Sequence, residues 1–532
     1  MDSPINEKAE SAPAGEVPTE HGAARWLDRA ITVWLFALAA AAPHSIAATQ
    51  FAWGCGLILW AARFLFRPRP RLPRTPIDYA LLGFFVLTVV SSLLSYDRAT
   101  SVGKLRAASL FTIVYLVAGN VHGRRVLRLL ALTLIISCMV NVLYTFGERV
   151  AGRGIRLEGV ASNSPLRGAT FVREDKTEDP TPIKDRDIVL EVDGRRVRSP
   201  EELAAALGGS NAGEHEAALV KIYRTEWMPV LKVPRGRLLA GATPLEQLGV
   251  SGWSRGREWR AAGLYGHYTT YAEALQLIAS LALGLFIALR RKLGRKGVLL
   301  LVAAAGMGGA LLLTVTRASW LAFLVSAFVI VLAGARSRRT IIALAACALP
   351  VIVAGLFVLQ RQRNVSFLDA RDQSISWRGT VWREGFDLLR SSPRHLLVGV
   401  GMDSIKTHWR EWGLFDGGRL PVGHMHSTPL QLAVERGVPA LLAWLILMAV
   451  YALMLLRLTR TTEEGSWAER GVVLGALGGL AGFVTSGTVH YNFGDSEVVM
   501  IFYFIMGLAL VVWRLARDKG ALESARQARV ET

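Results

Sequence analysis

The chain has 532 residues, of which 52% are hydrophobic and 19% charged, and its formal net charge is +19. This composition excludes a disordered chain and contains more apolar residues than a single soluble core requires. The three cysteines, Cys55, Cys138 and Cys347, stand apart in apolar runs, and no CxxC pair occurs. We therefore expect neither a disulfide framework nor a thiolate metal site.

Apolar stretches long enough to cross a bilayer recur along most of the chain, since a spanning helix needs about 20 apolar residues. They predict an all-α polytopic membrane protein with about 12 transmembrane helices. The polar N-terminal tail does not resemble a cleavable signal, so the first span is expected to remain as an anchor. The predicted spans are 30–48, 50–66, 78–95, 105–120, 126–147, 268–289, 297–315, 318–335, 340–359, 427–456, 471–489 and 497–514.

The connections between these spans alternate in charge. Basic stretches such as "RPRPRLPR", "GRRVLR", "RRKLGRK" and "GARSRR" follow even-numbered spans, and short basic loops stay in the cytoplasm. This pattern predicts a bacterial inner-membrane protein with both termini cytoplasmic, and it explains the positive charge without a nucleic-acid partner. The predicted order is a cytoplasmic tail (1–29), helices 1–5 (30–147), a periplasmic segment (148–267), helices 6–9 (268–359), a large periplasmic loop (360–426), helices 10–12 (427–514) and a second cytoplasmic tail (515–532).

The first periplasmic segment changes in character between about 159 and 234. Its sequence predicts a strand at 188–192, a turn at Asp193–Gly194, a second short strand, and a helix opened by Ser199–Pro200. The alternation in "EAALVKIYRTEWMPVLKVP" then predicts a hairpin. This order resembles a bacterial periplasmic PDZ domain. The resemblance implies a small α+β PDZ-like insertion that takes a peptide or protein partner by strand addition, and a spacer domain without a ligand is the alternative.

Basic and polar residues concentrate at the predicted periplasmic ends of the spans. Arginine at such a boundary often binds lipid headgroups. Arg317 differs, because it lies in a minimal periplasmic turn where the topology signal disfavours cations, and a diphosphate is a suitable partner for its guanidinium. Candidate site residues near these ends are Arg260, His267, Tyr268, Arg317, Arg378, Arg383, Asp403, His424 and His426.

The stretch "PVGHMHSTPLQL" brings His424 and His426 one residue apart, just before an apolar run. The pair is a candidate metal clamp, a candidate general base, or a structural element in which Ser427 caps the next helix. A metal site needs a third ligand, and nothing like HExxH occurs in the chain. We therefore expect no metal. Asp403 is a candidate for orienting a base or an arginine, and a solvated turn is the alternative.

Four motifs occur in order from Arg260 onward. They are "R-x-x-G-x-x-G-H" (260–267), "T-x-x-R-x-S-W-L-A" (314–322), "W-R-x-x-x-W" (377–382) and "H-x-H-S-x-x-L-Q-x-x-x-E-x-G" (424–437). Together they resemble the O-antigen ligase family, whose superfamily includes O-antigen polymerases and protein O-oligosaccharyltransferases. The resemblance implies a metal-independent periplasmic glycosyltransferase that moves a glycan from undecaprenyl diphosphate to a hydroxyl of the lipid A core.

The same resemblance suggests a role for each candidate residue. His426, directly before Ser427, corresponds to the family's base, and His424 is the second candidate. Arg260 and Arg317 are expected to bind the diphosphate, with Arg378 and Arg383 along the donor or acceptor path. His267, Tyr268 and Asp403 are expected to be accessory residues.

Two alternatives stay open. A polymerase or a protein O-oligosaccharyltransferase would use the same donor with another acceptor, and the PDZ-like insertion favours a protein acceptor. A lipid-linked glycan flippase or transporter would carry charges inside several spans and repeated halves, and neither is evident in the sequence.

Overall fold

The computed structural model describes residues 22–70, 72, 74–173, 176–208, 216–224, 227–334, 373–462 and 466–530. The predicted ninth span, 340–359, lies outside the described residues. Apart from one sheet, the described chain is mainly helical. We number its helices α1 Gly22–Ala41, α2 Ile46–Arg63, α3 Asp78–Leu93, α4 Arg98–Asn120, α5 Arg124–Ala151, α6 Pro200–Gly208, α7 Pro244–Leu248, α8 Tyr268–Ala288, α9 Arg295–Leu313, α10 Arg317–Gly334, α11 Gln373–Arg390, α12 Pro393–Val398, α13 Ser404–His408, α14 Phe415–Gly418, α15 Thr428–Arg436, α16 Val438–Thr461, α17 Trp467–Gly487 and α18 Ser496–Val530.

Among the described residues, 8 helices are long and apolar enough to cross a membrane. They are α4, α5, α8, α9, α10, α16, α17 and the first part of α18, and α3 is a shorter apolar helix. This architecture confirms the predicted class of a helical polytopic membrane protein with a small antiparallel sheet domain. The total of about 12 transmembrane helices remains a prediction.

The helix α8 lies at the centre of the bundle and is buried on almost every side. Glycines allow it to approach α17 closely, as small residues do at helix interfaces in membranes. A Cβ at Gly284 would lie 2.3 Å from the backbone nitrogen of Gly475, and a Cβ at Gly475 would lie 2.6 Å from the Cα of Leu281. The side chains of Glu273, Gln276 and Ser280 on α8 are therefore enclosed by neighbouring helices.

The sheet domain has one eight-stranded antiparallel sheet. Its strands are β1 Ile155–Val160, β2 Thr170–Val172, β3 Glu178–Pro180, β4 Ile188–Val192, β5 Arg195–Arg196, β6 Ala217–Tyr223, β7 Val230–Pro234 and β8 Val250–Arg255, in the order β3-β2-β7-β6-β4-β1-β8 with β5 beside β4. The predicted strand, second short strand, helix and hairpin between 188 and 234 are confirmed as β4, β5, α6 and the β6–β7 pair, with the predicted turn at Asp193–Gly194 between β4 and β5. The sheet also includes β1, which begins before the predicted range 159–234, and β8, which lies after it.

Two predicted spans are divided in the structure. The first, 30–48, is interrupted because α1 ends at Ala41 and Pro43 precedes a new helix whose N-terminus is capped by the Ser45 hydroxyl. The tenth, 427–456, is wrong as one helix, because the chain breaks at Gly437 with a φ of 83°. Residues 428–436 thus form the short helix α15, and the apolar helix α16 follows.

The break at Gly437 requires glycine for two reasons. Its φ is positive, and a Cβ there would lie 2.3 Å from the carbonyl oxygen of Leu397. Replacing Gly437 with Ala (Gly437→Ala) is expected to destabilise the protein by at least about 1 kcal/mol from backbone strain alone, visible as a lower melting temperature in detergent. Gly308→Ala is the control, since nothing lies within 4 Å of a Cβ there and its φ is helical. Equal melting temperatures for the two variants would contradict this account.

Candidate active site

The loop that carries the two histidines is fixed through the residue between them. Met425 is fully buried, and its backbone N–H donates to Oε1 of Gln431 at 2.6 Å. Its carbonyl accepts a hydrogen bond from the indole nitrogen of Trp382 at 2.9 Å. The loop is therefore held on one side by α15 and on the other by α11.

His424 and His426 lie side by side on this loop. Their ring centroids are 4.0 Å apart, and His426 has a left-handed φ of 48°. The backbone N–H of His426 donates to Nδ1 of His424 at 3.2 Å, so neutral His424 carries its proton on Nε2. Trp377 meets the His426 ring edge-on at 4.5 Å, and Tyr491 lies 5.7 Å from the His424 ring. Both histidines are thus half-buried, and each packs against one aromatic ring.

Partial burial lowers the pKa of both histidines. Burial lowers the pKa of His424 to about 4, and the positive charge of Lys406 acts in the same direction. Burial lowers the pKa of His426 even further, with contributions from His424 and Arg378. Desolvation disfavours the charged imidazolium, and nearby cations add to that effect. Both rings are therefore neutral at neutral pH, as a general base must be.

Arg378 is the predicted arginine that the structure brings to the histidines. It belongs to the face of α11 that also carries Trp382 and Gly385, at helical spacings of four and seven residues. Its guanidinium lies 5.0 Å from the Trp377 ring. Arg383 is exposed and lies about 140° around the same helix from Arg378, because successive helical residues are rotated by about 100°.

Asp403 forms a cluster with two lysines beside the histidine pair. Lys104 and Lys406 contact its two carboxylate oxygens at 2.7 and 3.0 Å. Burial opposes ionisation, but the hydrogen bonds from these lysines hold the pKa of Asp403 below its ordinary value. The Asp403 backbone N–H donates to Oε1 of Glu435 at 2.8 Å. Asp403 therefore holds lysines, whereas the sequence suggested a base or an arginine.

Arg260 shapes the turn that precedes Arg317. Its guanidinium donates to the carbonyls of Thr314 at 3.3 Å and Val315 at 2.6 Å, at the end of α9. The same group lies 3.7 Å from the Tyr268 ring, on which His267 stacks at 4.9 Å. Val315 has a positive φ of 52°, so these contacts stabilise a tight turn, after which Arg317 begins α10.

The structure contains a buried polar cluster at the ends of three helices that was not predicted from the sequence. Glu273 of α8 is 1% exposed and accepts hydrogen bonds from His490, Ser319 and Ser486. The available signal was a lone carboxylate within an apolar span, which is costly unless it is paired. Trp382 and Gln431 lie within recognised motifs, but their role in holding Met425 has no local signature.

A metal centre would require several ligating side chains close together. In the described ranges, no group of three or more His, Cys, Asp or Glu side chains is arranged to hold a metal ion. The absence of a metal from the reaction remains a prediction.

Comparison with known protein families finds a match over the part of the chain that contains the two histidines. Residues 302–445 match the family model of the O-antigen ligase. The chain carries an O-antigen ligase domain. No curated protein matches the chain.

The ligase domain runs from within α9 into α16, and it contains Arg317, Arg378, Arg383, Asp403 and both loop histidines. It confirms the resemblance to this family and supports a glycosyltransferase-type ligase activity in lipopolysaccharide or other glycan biosynthesis. With the apolar helices, it identifies a multi-pass membrane protein. Arg260, His267, Tyr268 and Glu273 lie outside the match, although they contact its elements or lie close to them.

The low pKa values of the two histidines predict an unusual pH dependence of the ligase activity. A lowered pKa keeps the imidazole neutral as the pH falls, so protonation is moved to more acidic pH. Between pH 7.5 and 5.5, kcat/KM is expected to fall less than about threefold, whereas a base with the ordinary pKa of about 6.5 would lose about tenfold. Initial rates at constant ionic strength test this, with thermal unfolding at each pH as the control for folding. An acid limb centred near 6.5 would contradict it.

Proposed function

We propose that the protein is a metal-independent glycosyltransferase that moves a glycan from undecaprenyl diphosphate to a hydroxyl of the lipid A core, on the periplasmic side of a bacterial inner membrane. The observation that carries the proposal is the position of His426 on a loop anchored at Met425, close enough to Arg378 to feel its charge, within the segment that matches the O-antigen ligase family. The combination offers a candidate base with a positive charge nearby.

His426 is the general base in the proposed reaction. It takes the proton of the acceptor hydroxyl while that oxygen forms a bond to the anomeric carbon of the glycan. The bond between this carbon and the diphosphate oxygen breaks, and the diphosphate leaves with the electron pair. His424 accepts the backbone N–H of His426, and so supports the conformation from which His426 acts.

Arginines stabilise the charge of the leaving diphosphate. Arg317 and Arg378 are the proposed direct ligands, because a guanidinium matches two phosphate oxygens and gains strength where water is excluded. Arg260, bonded to the carbonyls of Thr314 and Val315, supports the turn before Arg317 and adds its charge next to it. Arg383, exposed on α11, is proposed for the path by which a substrate enters.

A protein acceptor is the second candidate, and the sheet domain favours it. The strand β8 forms one end of the sheet, pairs with β1, and is followed by the segment that contains Arg260. An end strand of this kind is the usual docking position for an extended peptide. Purified protein with a defined undecaprenyl-diphosphate glycan distinguishes the candidates when lipid A core, polysaccharide and protein acceptors are compared. Transfer to protein alone would replace the lipid A core in the proposal, and transfer to none would reject it.

The variant His426→Ala is expected to lower kcat for transfer by at least about 100-fold, because the acceptor proton loses its base. Donor binding and the melting temperature are expected to stay close to those of the unmodified protein. His122→Ala, at an exposed histidine before α5, is the control. Near-normal transfer by the His426 variant would reject the assignment, and a larger loss in His424→Ala would move the base to His424.

The variant Arg317→Ala is expected to weaken binding of the undecaprenyl-diphosphate donor by about 10- to 100-fold, the loss typical of one charge-assisted hydrogen bond. Arg290→Ala is the matched control, since Arg290 is exposed and lies beyond the opposite end of α9. Equilibrium binding in nanodiscs measures both. Unchanged affinity in the Arg317 variant would remove this residue from the diphosphate site.

A further inference from the structure

The side chain of Glu273 is a buried carboxylate that the proposed reaction does not use. It lies in the first turns of α8, where it is 1% exposed. Its Oε1 accepts from Nδ1 of His490 at 2.9 Å and from the Ser319 hydroxyl at 3.2 Å. Its Oε2 accepts from the Ser486 hydroxyl at 2.6 Å, with the Asn492 amide at 3.5 Å. One carboxylate therefore joins α8, α10, α17 and the segment before α18.

The first arm of this network leads to the diphosphate side. Ser319 lies two residues after Arg317, in the first turn of α10. It is fully buried, and its hydroxyl donates to Glu273. This contact fixes the start of α10 against α8, and with it the position from which the Arg317 side chain extends.

The second arm leads to the histidine loop. The carbonyl of His490 accepts both the backbone N–H of Thr428 at 3.0 Å and its hydroxyl at 3.1 Å. The Thr428 hydroxyl also contacts Oδ1 of Asn492 at 2.9 Å. Thr428 opens α15 two residues after His426, and the preceding Ser427 makes no side-chain cap. The segment held by Glu273 thus supplies the cap that α15 otherwise lacks.

We propose that Glu273 is the positioning residue that couples the two halves of the site, holding the start of α10 through Ser319 and the start of α15 through His490. This inference rests on the proposed function for its catalytic consequence, but not for its structural one. The carboxylate suits the task, because a buried group that accepts several hydrogen bonds at once has only one well-satisfied arrangement.

Gln276 provides a matched control on the same helix. It is fully buried one turn further along α8, and its amide donates to the hydroxyl of Ser326 in α10 at 2.7 Å. Gln276→Ala therefore removes a buried polar contact between the same two helices without touching His490 or Thr428. Any effect of Glu273→Ala that exceeds the effect of Gln276→Ala measures more than general loosening of the bundle.

Hydrogen exchange and kinetics in nanodiscs test the inference. Glu273→Ala is expected to raise backbone exchange at 317–322 and 424–431, and to lower kcat by at least about 30-fold, as small displacements of a reacting group do. Glu273→Gln, which keeps an acceptor for His490 and Ser319, is expected to recover kcat to within about fivefold of the unmodified protein. Gln276→Ala is expected to leave exchange at 424–431 unchanged.

The two proposals fail in different ways. If the unmodified protein transfers no glycan, the proposed function is rejected, and the exchange data alone decide the role of Glu273. If transfer is normal but Glu273→Ala matches Gln276→Ala in both exchange at 424–431 and kcat, the coupling role is overturned. If Gln is as damaging as Ala at position 273, positioning by hydrogen-bond acceptance is also overturned.

Discussion

The site depends on two hydrogen bonds to the backbone of Met425, from Trp382 and to Gln431. These bonds fix the backbone N–H and the carbonyl of one buried residue. The histidines on either side are thereby held in place through the backbone, and Trp382 and Gln431 do not occupy their ring nitrogens. A loop between two helices is ordinarily among the more mobile parts of a protein. Here it is anchored to α11 and α15, and a sulfur–glycine contact adds to the restraint, since a Cβ at Gly385 would lie 2.9 Å from the Met425 sulfur.

This anchoring determines the electrostatics of the pair. A loop that was free to swing toward water would solvate His424 and His426 and return their pKa values toward the ordinary range. Packed against Trp377 and Tyr491, both rings lose part of that solvation, and the cations Arg378 and Lys406 oppose protonation further. The hydrogen bonds that fix the backbone of the loop therefore also favour the neutral form of both imidazole rings.

Some parts of this arrangement could be read from the sequence and others could not. The β4 strand, the turn at Asp193 and Gly194 with φ values of 49° and 75°, and the β6–β7 hairpin follow from local alternation and turn chemistry. The break at Gly437 does not, because hydropathy records how apolar a stretch is, not where its backbone turns. The contacts that build the site join distant residues: Trp382 meets Met425 across 43 positions, and Glu273 meets His490 across 217. A motif points to the two candidate histidines, whereas only the packed chain identifies the residues that hold them.

A base with a low pKa is a weak base, and in the proposed reaction this weakness is compensated by the same burial that causes it. The interaction between a guanidinium and a diphosphate strengthens as the surrounding dielectric falls, because less water screens the charges. The leaving group is then stabilised more than in water, so the bond to the anomeric carbon weakens with little help from the attacking oxygen, and the base needs to accept the proton only late in the step. In the proposed reaction, a low dielectric therefore makes leaving-group stabilisation by the arginines contribute more to the rate, and proton removal by the histidine less. A neutral His426 and the nearby positive charge of Arg378 are therefore compatible with the proposed glycan transfer.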